Sequence, residues 1–312
     1  MDGHQHGAVG AVGTIGAVDT HRARLAIALA ISMTILVAQV VGAIWTGSLA
    51  LLVDTAHVLT DTGGLAIALL AARLAARPAT PRRTWGLRRT EVLAATAQAS
   101  VLLAVGLYVL VEGVHRLVQP PEVASAEMIV FGVIGLIGNI AAVAVLAGSR
   151  GATFTTRAAF LEVVNDALGS LAVIVAAVVM TLTGWARADA VVALLIGALI
   201  LPRTVSLLRD TVNVLLESTP RGLDLDAVRG HILALPHVRA VHDLHASQIA
   251  TGLPVLTAHV VLDDDCFRDG HALDLLDQLQ ACVAKHFDVS VEHSTFQLEP
   301  RKHRDHEYSP HD

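Results

Sequence analysis

Apolar residues fill the first two thirds of the chain in long blocks, at roughly 25–45, 48–72, 92–114, 127–148, 158–182 and 188–208. About twenty such residues span a bilayer, so the pattern predicts six transmembrane helices. Beyond residue 210 the pattern shortens. A helical period covers 222–235, and alternating segments at 238–249 and 254–262 flank Gly252-Leu253-Pro254 as a hairpin. A second helix over 270–286 and a strand over 289–298 follow, which fits a small sheet covered by two helices. The expected fold is a polytopic α-helical membrane protein with six transmembrane helices and a C-terminal α/β domain. Its parts are a disordered N-terminus (1–21), the six-helix domain (22–210), the α/β domain (211–300) and a flexible tail (301–312).

Composition agrees with that frame. Of 312 residues, 54% are hydrophobic and only 16% charged, and the mean hydropathy is +0.59. A soluble domain carries about a quarter of its residues as charges. Disordered, collagen-like and disulfide-framework classes are excluded. Residues 1–219 hold 14 Lys and Arg against 13 Asp and Glu, whereas residues 220–312 hold 8 against 15. Eleven of the sixteen histidines lie in that acidic tail, which suits cation handling. Cys266 and Cys282 lack CxxC spacing, so no thiolate zinc site or disulfide framework is expected. The first twenty residues contain no Lys or Arg, which argues against a cleavable signal peptide. Arg73, Arg77, Arg82, Arg83, Arg88 and Arg89 crowd the connection between the second and third spans. Cytoplasmic loops are the arginine-rich ones, so both termini are expected in the cytoplasm.

An ionisable group inside a span costs a few kcal/mol and marks a functional interior. The second span places His57 and Asp61 one helical turn apart, with Asp54 on the same face. The fifth span places Glu162 and Asp166 at the same spacing. Facing one another, these pairs offer one nitrogen and three oxygens, a four-ligand cage for a divalent transition metal. Such groups also serve as interhelical hydrogen bonds; Gln39 and Asn139 suit either use. Asp54 and Asn139 are candidates for a supporting shell or a proton path, and Glu112 is expected to reach interfacial water. The chain has neither a GxxxxGK[ST] phosphate loop nor the HExxH of a zinc hydrolase. By period two, His242 and His245 point to opposite faces unless a bulge intervenes.

Several motifs occur in a specific order: Ser48-Leu-Ala-Leu-Leu52 leading into His57 and Asp61, then Gly86-Leu-Arg-Arg89-Thr-Glu91-Val-Leu-Ala-Ala. Leu208-Arg-Asp210, Leu215-Leu-Glu217-Ser-Thr-Pro220 and Val241-His242-Asp-Leu-His245 come next. Ala258-His259-Val and Glu292-His293-Ser-Thr-Phe-Gln297-Leu-Glu299 close the series. In these the chain resembles the cation diffusion facilitator family, in its bacterial zinc/cadmium/cobalt exporter branch. The resemblance implies a homodimer in the cell (inner) membrane, exchanging a cytoplasmic divalent metal for protons, with a ferredoxin-like cytoplasmic domain. It implies a transporter rather than an enzyme, with the lipid bilayer, metal ions and protons as partners and no nucleic acid. Zn2+ is the expected cargo, with Cd2+ or Co2+ as further candidates, and the transport site is His57, Asp61, Glu162 and Asp166. By the same resemblance His242, His259 and His293 hold a regulatory metal between the paired domains, with His271 and Glu299 as further ligands. The chain departs from the branch in three places. Glu162 stands where histidine is usual, the loop before the fifth span lacks a histidine run, and the arginine-rich loop has no His, Asp or Glu. A harder cage widens the expected range to Fe2+, Mn2+ or Ni2+. A membrane metal sensor that transports nothing is the alternative reading.

Overall fold

A computed structural model describes residues 11–75, 77–147 and 154–303, and within the helices the side chains of Asp61 and Glu162 are among those outside that description. Six long helices come first: α1 Ala11–Thr46, α2 Leu49–Ala75, α3 Thr90–Val118, α4 Ser125–Ala147, α5 Phe154–Thr183 and α6 Ala188–Leu215. Five contain stretches long and apolar enough to cross a membrane, and α2 adds a shorter apolar run, Leu49–Thr60, among the described residues. The α/β part follows as α7 Leu225–Leu233, β1 Val238–Ala250, β2 Leu253–Leu262, α8 Cys266–Asp269, α9 His271–Lys285 and β3 His293–Pro300. α1 starts at Ala11, inside the stretch expected to be disordered. Extending a nucleated helix adds one hydrogen bond per residue ordered, so the apolar 25–45 segment can carry it backwards.

The chain divides into two compact units, Met1–Ala66 with Ala97–Ser206, and Ile67–Thr96 with Leu207–Asp312. The second unit therefore takes in the arginine-rich α2–α3 connection, which the sequence pattern had assigned to the membrane domain. In the first unit α4 packs on α1 and α5. Its buried stripe runs Met128, Gly132, Gly135, Asn139, Ala142, Leu146 at helical spacing, while Val130, Ile137 and Ile140 face outward. A Cβ at Gly132 would lie 2.8 Å from Ile174, and one at Gly138 would lie 2.6 Å from Ile35. Small residues there let the backbones approach, the usual way helices associate where lipid removes the hydrophobic drive.

α2 begins on a borrowed cap. Asp189, at the start of α6 and 1% exposed, accepts from Ser48 Oγ (2.5 Å), Leu49 N (2.7 Å) and Ala50 N (3.1 Å). It satisfies donors that a helix start leaves open and places negative charge on the positive end of the dipole. Arg116 Nη1 donates to Gly47 O (2.7 Å) and lies 3.8 Å from Asp189. Glu112 pairs with Arg116 one turn on, at 2.8 Å.

In the second unit β1 pairs antiparallel with β2, and β2 parallel with β3. Val228 and Ile232 of α7 and Leu275, Leu279 and Val283 of α9 cover one face, over Val241, Leu256, Ala258, Val260 and Leu262. Asp224 caps α7 by accepting from Asp226 N and Ala227 N. The α/β expectation holds in element order and in the hairpin at Gly252, whose φ of +71° suits glycine.

Candidate metal centres

His57 faces inward from α2 and Asp166, 5% exposed, from α5; His57 Nε2 lies 3.7 Å from Asp166 Oδ1. Two ligand atoms about 2.1 Å from a tetrahedral centre are ~3.4 Å apart, so the pair stands close to coordinating distance. Asp61 and Glu162 share these helices one turn away, but their side chains lie outside the described residues.

One turn from His57 is a second polar layer. Asp54, 1% exposed, accepts from Gln39 Nε2 at 2.6 Å and Ser170 Oγ at 3.4 Å, and Asn139 Nδ2 donates to Ser170 Oγ at 3.4 Å. Three helices thus meet on one buried carboxylate, α4 joins them through Ser170, and both named donors to the carboxylate are neutral. A Cβ at Gly169 would overlap the Asp54 carboxylate, so glycine there is what lets α5 come so near α2. Ser170, one turn along α5 from Asp166, joins this layer without having been singled out by its sequence.

The second unit holds the one group of three potential ligands found among the described residues: His242, Asp243 and His259, with one donor atom from each within 4.8 Å of the others. A β-bulge builds it. His242 pairs with His259 and His245 with Thr257, so Asp243 and Leu244 oppose a single residue. Asp243 takes φ +47°, which aspartate tolerates better than most residues. The bulge puts His242 and His245 on the same face, and His245 Nε2 lies 3.9 Å from Asp243. His242 Nδ1 is 3.2 Å from Asp243, and its Nε2 is 3.3 Å from Glu299. Glu299, 1% exposed, also meets His259 Nδ1 at 2.8 Å. Two imidazoles among carboxylates form a donor set that fits Zn2+, Co2+ or Cd2+.

Within one chain two further expected ligands stand apart from this group. His293 is in register with Val255, four residues short of His259, about 13 Å along the strand. Its ring meets Trp85 at 4.7 Å. His271 stacks on His237 and pairs with Asp269 at 2.8 Å. That carboxylate raises the His271 pKa above the usual imidazole value and favours the protonated form, which cannot ligate. Burial likewise pushes the free Cys266 and Cys282 thiols up, so neither is a ready thiolate.

Residues 25–216 match the cation efflux transmembrane domain, and residues 220–301 match the cytoplasmic domain of cation efflux proteins. The chain belongs to the cation diffusion facilitator family. It is 43% identical over 281 residues to the metal cation efflux system protein CzcD of Cupriavidus metallidurans, covering 90% of this chain and 88% of that one. It is 36% identical over 283 residues to the zinc transporter ZitB of Escherichia coli, covering 90% and 88%. A cadmium, cobalt and zinc/H(+)-K(+) antiporter of Bacillus subtilis is 33% identical over 231 residues, covering 73% and 74%. Family members are multi-pass membrane transporters and not enzymes, and this chain is a cation efflux transporter.

Proposed function

We propose that the chain exports Zn2+, with Cd2+ and Co2+ as further cargo, from the cytoplasm in exchange for protons. It binds the ion between α2 and α5 at His57, Asp61, Glu162 and Asp166. The observation that carries this reading is the 3.7 Å approach of His57 to Asp166, each one helical turn from a further carboxylate. The relatives' names, which include zinc, cadmium, cobalt and proton exchange, support the cargo and the counter-ion. Ligands bind metal only when deprotonated, so cargo entering the cage displaces protons and protons entering from the far side displace cargo. Asp54 holds the α1, α2 and α5 side chains around the cage and, with Ser170 and Asn139, offers the path for those protons.

The arginine-rich α2–α3 connection favours the cytoplasmic side, which assigns both termini to the cytoplasm of an inner membrane. The tail pairs two copies into a homodimer, as the name of its matched domain suggests, and its His242–Asp243–His259 cluster, with Glu299 beside it, takes a regulatory metal. The test is proteoliposome transport over a panel of Zn2+, Cd2+, Co2+, Mn2+ and Ni2+, comparing the native chain with Glu162→His. Histidine softens the cage and removes a charge, so transport of Mn2+ relative to Zn2+ falls by about 10-fold or more. Unchanged selectivity and rate remove Glu162 from the site.

A further inference from the structure

We propose that His231 and His286 form a separate, exchangeable site for a divalent transition-metal ion, where the C-terminal ends of α7 and α9 meet. Both side chains are exposed, and both belong to the second unit. The site shares no residue with the His242–Asp243–His259 cluster and does not depend on it.

His231 sits in the last turn of α7, and His286 is the residue that caps α9. Their ring centres stand 6.1 Å apart, with the planes tilted by 50°. Two imidazoles bound to one tetrahedral ion through bonds of about 2.1 Å hold their ring centres about 5 Å apart. The His242 and His259 rings stand at 5.1 Å. The helix-end pair is therefore about 1 Å wider than a shared ion requires, a gap that two exposed side chains close by small rotations.

His231 is already held in the form a metal needs. Its Nδ1 lies 3.1 Å from the Ala227 carbonyl oxygen. A carbonyl only accepts, so Nδ1 carries the proton and the neutral ring keeps a lone pair on Nε2. Metal-bound histidines are arranged in the same way, the second nitrogen donating to a carbonyl or carboxylate that fixes the ring. Phe287 steadies the imidazole further, meeting it edge to face at 5.0 Å and 71°.

The helix ends choose the sign of the ligand. The C-terminal end of a helix carries about half a negative charge, and two such ends converge on these rings. They oppose an anion, the other ligand that a pair of protonated histidines could hold, and they favour a cation. Imidazole nitrogens then select Zn2+, Co2+, Ni2+ or Cu2+ over Mg2+, Ca2+ and Mn2+. A pair of protein ligands leaves the remaining coordination positions to water, so the ion is held loosely enough to exchange.

The test uses the full chain in lipid nanodiscs carrying Asp166→Asn and His259→Ala, which disable the two metal centres described above. Zn2+ stoichiometry is measured by calorimetry in this parent, in His231→Ala, in His286→Ala and in the double variant. Each single variant is expected to lose one equivalent per chain, and the double variant no more than either single one, because the two rings share an ion. Zinc should also slow hydrogen exchange at the last-turn amides of α7 and α9 in the parent and not in the variants. Exchange of the sheet amides, unchanged by the substitutions, reports an intact fold. An excess of Mn2+ should leave the zinc in place. Unchanged stoichiometry in the single variants overturns the proposal. So does a double variant that loses two equivalents, which makes the rings independent surface ligands. Displacement of the zinc by Mn2+ overturns it as well, since oxygen donors would then hold the ion. Failure of the transport or cluster assignments leaves these differences from the parent unaffected.

Discussion

The intramembrane pair and the cytoplasmic cluster draw on the same two kinds of side chain, and the protein assembles them by opposite means. His57 and Asp166 are placed by helical period, on helices drawn together by glycine and by a cap that α2 borrows from Asp189, about 140 residues downstream. His242, Asp243 and His259 are placed by an interruption of period, the bulge that turns Asp243 into a φ of +47°. The media explain the difference. In a bilayer each ionisable group costs several kcal/mol, so only groups with work to do persist and their spacing alone identifies them. In a solvated domain histidine is cheap, and among the described residues of the tail two histidines, His242 and His259, join the cluster.

The largest effect separating the two regions is expected from Asp166→Asn. It removes a charged ligand of the proposed membrane site, and transport should fall by at least about 100-fold, the upper range seen when residues that merely orient ligands are lost. Zinc binding by the tail should persist. Proteoliposome flux above a tenth of native would sink the assignment. The borrowed cap comes next. Asp189→Ala strips three donors of their acceptor, two of them backbone amides in a buried helix start, and should cost about 3 kcal/mol. Asp224→Ala, at the exposed start of α7, should cost about 1 kcal/mol. Thermal unfolding of the full chain compares them, and equal shifts would show that the distant carboxylate does not anchor α2.

These cases also mark what a sequence can carry. The spans, the order α-β-β-α-β and the pairing of His57 with Asp166 were legible because periodicity and hydropathy encode them over many residues. Asp189 was not, since a cap contributed by another helix leaves no local pattern. Asp243 required the bulge, one backbone angle in a strand that reads as regular alternation. Within one chain six residues of strand separate His293 from Glu299, and of the two it is Glu299 that meets His242 and His259.

Within the tail the same contrast can be made finer. Asp243→Ala takes one carboxylate from the cluster and should weaken zinc binding by about 10-fold, measured by calorimetry in the Asp166→Asn background; unchanged affinity would leave the bulge without a chemical role. The smallest effect is expected at Asp263, on the strand end. Arg239 forks onto this carboxylate at 2.6 and 2.7 Å, with Arg301 at 3.2 Å and His237 at 3.5 Å. Those neighbours, Arg239 first, hold its pKa down at about 2 against an ordinary 3.8. A carboxyl held low in the folded state contributes stability that is complete above its unfolded value and is lost as pH falls through the folded one. Asp263→Asn should therefore lower the protection of β1 and β2 amides modestly at pH 6 to 7, and the gap from native should close as pH falls from about 4 towards 2. The group is open to solvent, so 1 M salt should shrink the gap as well. Hydrogen exchange at several pH values reads both. A gap that stays constant on acidification would mean that Asp263 stabilises the strand by packing rather than by charge.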